Sequence, residues 1–322
     1  MGELRTYREK RDFSRTPEPA GEPGEATANE ARFVVQEHHA TSLHWDLRLE
    51  RNGVLASWAV PKGIPPDPRV DHLAVQTEDH PIEYLAFEGD IPEGSYGAGR
   101  MTVWDTGTYE CEKWEDREVM VVLHGRRARG RHVLFRTQGR NWMIHRMDPP
   151  ADPTRELLPD DLRPAPPVEG ALPDDEEAWS FEAAMGGDTV AVASSGGRIR
   201  VVDAEGTDVS DRHKGLSPFG RAVGAIEVAV EAELVATGTR GPATLLLADL
   251  LWLEGHPTTS LPFRDRRRLL EQLELSGPQW QTVPVHAGEG TALLDAVRAQ
   301  GLPGIRARRL DGPYESPLFV PA

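Results

Sequence analysis

The sequence predicts two domains, a mostly antiparallel β-barrel followed by a mixed α+β domain, and three observations predict it. Short alternating apolar runs separated by Gly, Asp and Pro fill residues 33–148, a Pro/acidic stretch follows, and from Trp179 strand-like runs mix with helical ones. At 322 residues the chain is long enough for each domain to bury a core.

The first 32 residues are polar and rich in Pro, Gly and Glu, and Thr16 to Ala28 carry almost no large apolar side chains. That composition predicts a flexible N-terminal arm over 1–32. From Phe33 to Met147 come Val54–Val60, Met101–Trp104, Val119–Leu123, Val133–Phe135 and Trp142–Ile144. Many short strands at close spacing indicate a barrel or sandwich over 33–148 with little helix. Residues 147–178 hold eight prolines and ten acidic residues, which predicts a Pro/acidic linker over 149–178. The second domain, 179–322, reads as strands at Thr189–Ala193, Arg198–Val202, Ile226–Val230 and Ala243–Leu247, with helices over Pro262–Leu275 and Gly290–Gln300, the latter stopped by Gly301.

Composition excludes several classes. The single cysteine, Cys111, rules out a disulfide framework and fits a reducing compartment. No run approaches the roughly 20 apolar residues of a membrane span, and Met1–Tyr7 has no apolar signal region, so a cytoplasmic protein without a membrane partner is expected. The net charge of −16 argues against broad nucleic-acid binding. Its distribution softens that argument, because residues 1–150 hold 20 Lys plus Arg against 25 Asp plus Glu, whereas 151–322 hold 16 against 27. Within the first part, Arg126-Arg127-Ala-Arg129-Gly-Arg131 is a basic run that reads equally as a DNA-backbone track or a solvated turn.

The chemistry concentrates in Phe33–Arg48. His44, Asp46 and Arg48 alternate with Trp45, Leu47 and Leu49, so on a strand the three polar groups share one face. His38, six residues before His44, joins them if the chain stays extended or if it returns across a short turn at Ala40–Ser42. Imidazoles and a carboxylate suit manganese, zinc or iron, and an adjacent guanidinium suits a phosphate. The glycine-rich Gly94-Ser-Tyr-Gly97-Ala-Gly99 lacks the lysine and the strand-to-helix context of a nucleotide fingerprint and reads as a strand-joining loop near the metal.

These segments keep informative company: Ser57-Trp-Ala-Val-Pro-Lys62-Gly63, Leu73-Ala-Val-Gln-Thr-Glu78-Asp79-His80-Pro81, Tyr84, and Phe87-Glu88-Gly-Asp-Ile-Pro-Glu93-Gly-Ser-Tyr96-Gly-Ala-Gly99. Together with Tyr7-Arg-Glu-Lys-Arg11-Asp12-Phe13-Ser-Arg-Thr16-Pro-Glu18-Pro, and running to about Asp148, they resemble the 3'-phosphoesterase module of bacterial DNA ligase D, an end-processing enzyme of non-homologous end joining. The resemblance implies a manganese ion (other divalent metals being possible) held by His38, His44 and Asp46, with Arg48 on a phosphate oxygen and His80 assisting proton transfer. It implies that Lys62, Gln36 and Tyr84 line the pocket and that Arg11, Asp12 and Glu18 belong to an arm folded over the site. His72 stands where the family commonly has a phosphate-touching arginine. An imidazole near pH 7 carries only part of a charge and lacks the bidentate fork, which weakens the expectation of 3'-phosphate removal.

The second half resembles the adenylation domain of ATP-dependent DNA ligases. Trp179-Ser-Phe-Glu182 looks like the lead into the motif Lys-x-Asp-Gly-x-Arg, Asp249-Leu-Leu-Trp-Leu-Glu-Gly255 like a later motif, and Gly301–Tyr314 like a third. The chain departs from the pattern at Ala184, in place of the nucleophilic lysine, and at Gly186, Thr189, Pro303 and Arg308. None of the four lysines, Lys10, Lys62, Lys113 and Lys214, lies near the required place. A lysyl-adenylate needs its amine, so this half is expected to be a pseudo-ligase without an ATP requirement, and no oligonucleotide-binding fold is expected to follow it. The implied activity is removal of a 3'-terminal ribonucleoside and 3'-phosphate from DNA 3' ends, on primer-template or RNA-tipped DNA, alongside Ku, a ligase and a repair polymerase near the nucleoid. A non-catalytic DNA-end-binding adaptor is the second reading and an active ATP-dependent ligase the third.

Overall fold

The computed structural model describes residues 4–21, 31–236 and 243–322, and its contacts divide the chain into two compact units, Met1–Pro153 and Thr154–Ala322. The first unit begins with a short helix α1 (Arg5–Glu9) and continues as β1 (Arg32–His39), β2 (Leu43–Arg51), β3 (Val54–Val60), β4 (Asp71–Gln76), β5 (Gly89–Ile91), β6 (Gly99–Glu115), β7 (Glu118–His124), β8 (Arg129–Gln138) and β9 (Asn141–Arg146). The sheet runs β1-β2-β3-β4-β9-β8-β7-β6, and β6 pairs back onto β1, closing an eight-stranded antiparallel barrel with β5 on the outer side of β6. Closure leaves those eight strands no free edge.

The predicted alternation fills this barrel. Phe33 and Val35 of β1 and Trp45, Leu47 and Leu49 of β2 are buried, each such side chain contributing roughly 1.5–3 kcal/mol relative to exposure. The residues between them, Gln36, His38, Asp46 and Arg48, are buried too, so the second face of β1 and β2 is itself covered.

What covers it includes the described part of the arm. Residues 4–21 are ordered against the barrel: Tyr7 is fully buried and its hydroxyl donates to Pro19 O at 2.6 Å, while Arg8 donates to Ala20 O and Gly21 O. Composition predicted flexibility here because the holding contacts are long-range ion pairs, which local apolar content does not register. Residues 1–3 and 22–30 of the expected flexible arm lie outside the described residues.

The second unit contains β10 (Val168–Glu169), β11 (Trp179–Ala184), β12 (Asp188–Ser195), β13 (Arg198–Val202), α2 (Ser217–Val223), β14 (Val228–Ala236), β15 (Ala243–Leu253), β16 (His256–Pro257), α3 (Phe263–Gln272), β17 (Ser276–Gly277), β18 (Trp280–Thr282), β19 (His286–Ala287), α4 (Gly290–Gln300), β20 (Gly304–Arg309) and β21 (Leu318–Pro321). They form a five-stranded sheet, β10-β21-β20-β11-β19, and a seven-stranded sheet, β13-β12-β14-β15-β18-β17 with β16 on β15. Gly301 ends α4 at φ 68°, the left-handed cap its residue type favours. The expected linker is partly structured: Val168 and Glu169 pair with β21, and Leu158 and Leu162 pack against Ala191, Ala229, Leu251 and Trp252. Isolated leucines among prolines carry no periodic signal, so composition alone missed this docking.

Candidate active site

The β1–β2 hairpin assembles the site. Its register sets Gln36 opposite Asp46 and His38 opposite His44, and Ala40–Ser42 make the turn. His38 Nδ1 lies 3.1 Å from His44 Nε2, and Asp46 carboxylate oxygens lie 3.7 Å from each of these nitrogens. The three donors fall within 4.8 Å of one another, a metal-sized cluster among the described residues. His44 Nδ1 faces Ser42 O at 2.9 Å. A proton there leaves Nε2 with a free lone pair, the tautomer a metal ligand needs.

Arg48 sits beside this group. Its Nη2 donates to Asp46 Oδ2 at 2.9 Å and its Nε to Gln36 Oε1 at 2.8 Å, while Nη1 is buried with no partner. Gln36 is held in turn by donating to Tyr84 O and Phe87 O. Burial alone would raise the Asp46 carboxyl, but the Arg48 guanidinium first, and then the neighbouring His38 and His44 imidazoles, outweigh it and hold Asp46 well below the usual carboxylate range.

A second layer joins the arm to the site. Arg11 Nε donates to Glu18 Oε1 at 2.6 Å, Nη1 to Glu78 Oε1 at 3.0 Å, and Nη2 lies 3.2 Å from His80 Nε2. Tyr84 donates its hydroxyl to Glu18. His80 Nδ1 faces Glu78 O at 2.8 Å, and burial followed by the Arg48 and Arg11 charges pushes its pKa well down. His80 is therefore neutral near pH 7, with a lone pair on Nε2. Glu78, bridging Lys10 and Arg11, was not singled out from sequence; its place two residues before His80 was the only signal.

Other expected residues stand apart. Asp12 is exposed and accepts from Ser14, Lys62 is exposed, and His72 Nδ1 bonds Gly63 O at 2.7 Å. No hydrogen bond or ion pair ties these three to the His38–His44–Asp46 group. Burial, set against the Gly63 bond, lowers the His72 pKa, so this imidazole is neutral rather than partly charged near pH 7. The glycine-rich loop joins β5 to β6 as expected, and Gly99 (φ 140°) is required because a Cβ there would lie 2.4 Å from His39 O.

In the second unit, Ala184 is buried at the end of β11 opposite Gly304. Arg308 is enclosed by carboxylates: Nη1 donates to Glu182 Oε1 at 2.7 Å, Nη2 to Glu231 Oε1 at 2.5 Å, and Asp249 lies 3.7 Å from Nε. Tyr314 donates its hydroxyl to Glu231, and Arg266 forks onto Asp249.

The class that the fold defines is a closed antiparallel β-barrel protein, here carrying a two-histidine, one-carboxylate cluster beside a buried arginine. Residues 36–136 match the family model of the DNA ligase D 3'-phosphoesterase domain. The chain is 36% identical over 339 residues to the multifunctional non-homologous end joining protein LigD of Mycolicibacterium smegmatis, covering 97% of this chain and 44% of that protein, so the similarity runs through both units. It is 48% identical over 140 residues to LigD of Pseudomonas aeruginosa, covering 42% of this chain and 17% of that one. The chain spans less than half the length of these relatives. A mycobacterial DNA ligase D complexed with ATP and MES is similar in backbone with a TM-score of 0.47 and 22% identity, over 51% of this chain and 62% of that one.

Proposed function

We propose that this protein is a manganese-dependent phosphoesterase that removes a 3'-terminal ribonucleoside, and then the exposed 3'-phosphate, from DNA ends during break repair by end joining. The observation that carries the reading is the buried Arg48 Nη1, a guanidinium donor without a partner beside three convergent metal-ligand atoms. A desolvated donor left unmatched costs about 1–3 kcal/mol or more, which a phosphate oxygen would relieve.

His38, His44 and Asp46 would hold the metal, and their donor set fits manganese as well as zinc or iron. A divalent cation bound there supplies charge neutralisation and a water of lowered pKa. Arg48 holds a non-bridging phosphate oxygen, and Gln36 fixes Arg48. Water adds to phosphorus, the bond to the ribonucleoside 5' oxygen breaks, and the proton that the water loses passes to that oxygen so that it leaves as a hydroxyl; the neutral Nε2 of His80 relays it once Arg11 Nη2, which it accepts from in this structure, turns away. Arg11, Glu18 and Tyr84 keep the arm closed over this centre, while Asp12, Lys62 and His72 are assigned to the surrounding substrate contacts.

For the second unit we read a pseudo-ligase that does not adenylate itself, because Ala184 offers no amine and Arg308 is held in ion pairs with Glu182 and Glu231. The test of the main activity is incubation with a primer-template ending in one ribonucleotide, with and without manganese. Shortening by one ribonucleoside and loss of the 3'-phosphate only with the metal are expected; no processing with any divalent ion would overturn the assignment.

A further inference from the structure

The first part of the basic run noted in the sequence, Arg126 to Ala128, forms with Gly125 the connection between β7 and β8, and its backbone is held in place. Asp105 of β6 is 5% exposed, and its carboxylate accepts from the backbone N–H groups of Arg126, Arg127 and Ala128 at 3.1, 2.9 and 2.7 Å. Gly125 N–H closes the loop onto Ala128 O at 2.9 Å. Glycine is required at 125, since a Cβ there would lie 2.2 Å from Asp105 Oδ2.

This clamp turns Ala128 inward and leaves Arg126 and Arg127 exposed side by side. Among the described residues neither guanidinium meets a carboxylate, whereas Arg131, at the far end of the run, is neutralised by Glu112 and Asp148. Arg127 lies over the Trp104 ring at 5.2 Å, which restrains it without taking its charge. In a chain of net charge −16, two exposed arginines that no carboxylate among the described residues neutralises stand together on one clamped loop.

Their position relative to the site follows from the register. Across a bulge in β6, Asp105 pairs with Val35, and Val35 pairs with Leu47, the neighbour of Asp46. At ~3.3 Å per residue and ~4.8 Å between strands, two strand spacings and one residue put the loop's anchor roughly 10 Å from Asp46 along the sheet. With ~3.4 Å of axis per nucleotide, that is about three nucleotides from a reacting 3' end.

We propose that the Asp105-clamped loop is a phosphate-backbone clamp, with Arg126 and Arg127 each contacting a backbone phosphate of the nucleic-acid strand a few nucleotides from its 3' end. This rests on the proposed function for the choice of ligand. The contacts carry charge and no base specificity. The amide cluster on Asp105 presets the loop, so little ordering accompanies binding.

The test is direct binding by the full chain, read separately from catalysis. Anisotropy of a fluorescein-labelled primer-template is titrated from 50 to 200 mM KCl with the wild type, Arg126→Ala/Arg127→Ala and Arg126→Lys/Arg127→Lys, and cleavage is measured in parallel on that duplex and on a ribonucleoside-terminated dinucleotide too short to reach the loop. The alanine variant should lower the slope of log Kd against log salt by about 2 and weaken duplex binding roughly tenfold or more, at ~0.9 per lost phosphate contact. The lysine variant should keep the slope, and all three proteins should cleave the dinucleotide alike. Equal slopes for wild type and alanine variant, or no duplex binding by the wild type, would overturn the clamp. A wild type that binds with the expected slope but cleaves nothing would overturn the esterase reading while leaving the clamp standing.

Discussion

Arg48 Nη2 and Asp46 Oδ2 are joined at 2.9 Å, which ties the candidate phosphate-binding guanidinium to a candidate metal ligand. Charge chemistry at either residue therefore acts on both. Truncating Asp46 to alanine would leave Arg48 a buried cation with neither counter-charge nor acceptor, a loss of order 3–5 kcal/mol, whereas asparagine keeps an oxygen that accepts from Nη2.

For that reason the first prediction uses the isosteric change. Asp46→Asn should keep the fold, lose manganese binding by calorimetry and lose processing by at least about a hundredfold, since even outer-shell losses cost 10–100-fold. His39→Ala should be nearly silent, because His39 pairs with Glu37 at 2.7 Å and takes no part in the cluster. Equal losses from the two substitutions would mean the ligand register is wrong.

The second prediction concerns His72. Held neutral by burial and bonded to Gly63 O, it offers no positive charge near pH 7. His72→Arg should raise kcat/KM for 3'-phosphate removal about tenfold or more, a charged hydrogen bond being worth roughly 1.5–3 kcal/mol, and should change ribonucleoside removal less. An unchanged ratio of the two activities would take His72 out of the site.

Stability at acid pH tests a different histidine. His132 is fully buried in β8, its Nδ1 faces Gly130 O at 2.9 Å, and burial lowers its pKa from 6.5 to about 4. The unfolded chain thus binds a proton that the folded chain refuses between about pH 6.5 and 4, so this residue's stabilisation is present above pH 6.5 and is lost as pH falls through that window. On going from pH 7 to pH 5, urea unfolding of the wild type should lose about 2 kcal/mol more than that of His132→Gln. Parallel losses would show that His132 does not carry the difference.

The carboxyl-terminal unit should not form a covalent adenylate. With radiolabelled ATP and magnesium, no labelled band should survive boiling, and Ala184→Lys alone should not create one, because Arg308 remains locked between Glu182 and Glu231. A stable label on the wild type, or sealing of nicked DNA, would restore the ligase reading.

Much of this was legible in the chain itself. The period of two in Leu43–Arg51 put His44, Asp46 and Arg48 on one face and Trp45, Leu47 and Leu49 on the other, and both faces stand as that pattern requires. The helices α3 and α4 lie within their expected ranges, because local caps and periodicity determine where helices begin and end. Sequence left two routes for His38, extension along one face or return across a turn. The structure takes the turn, since His38↔His44 is a cross-strand pair.

Tertiary structure decided what local pattern cannot carry. Arg11 reaches Glu78 and His80 across 67 and 69 residues, and Asp105 collects the amides of a loop 21 to 23 residues away. Composition made the arm a flexible tail and the Arg126–Arg131 run an ambiguous turn because it counts residues without their partners. The alternation of apolar and polar side chains fixed which residues could face a site; closure of the barrel fixed which charges meet there, because a buried ion pair forms only where the fold brings both partners out of water together.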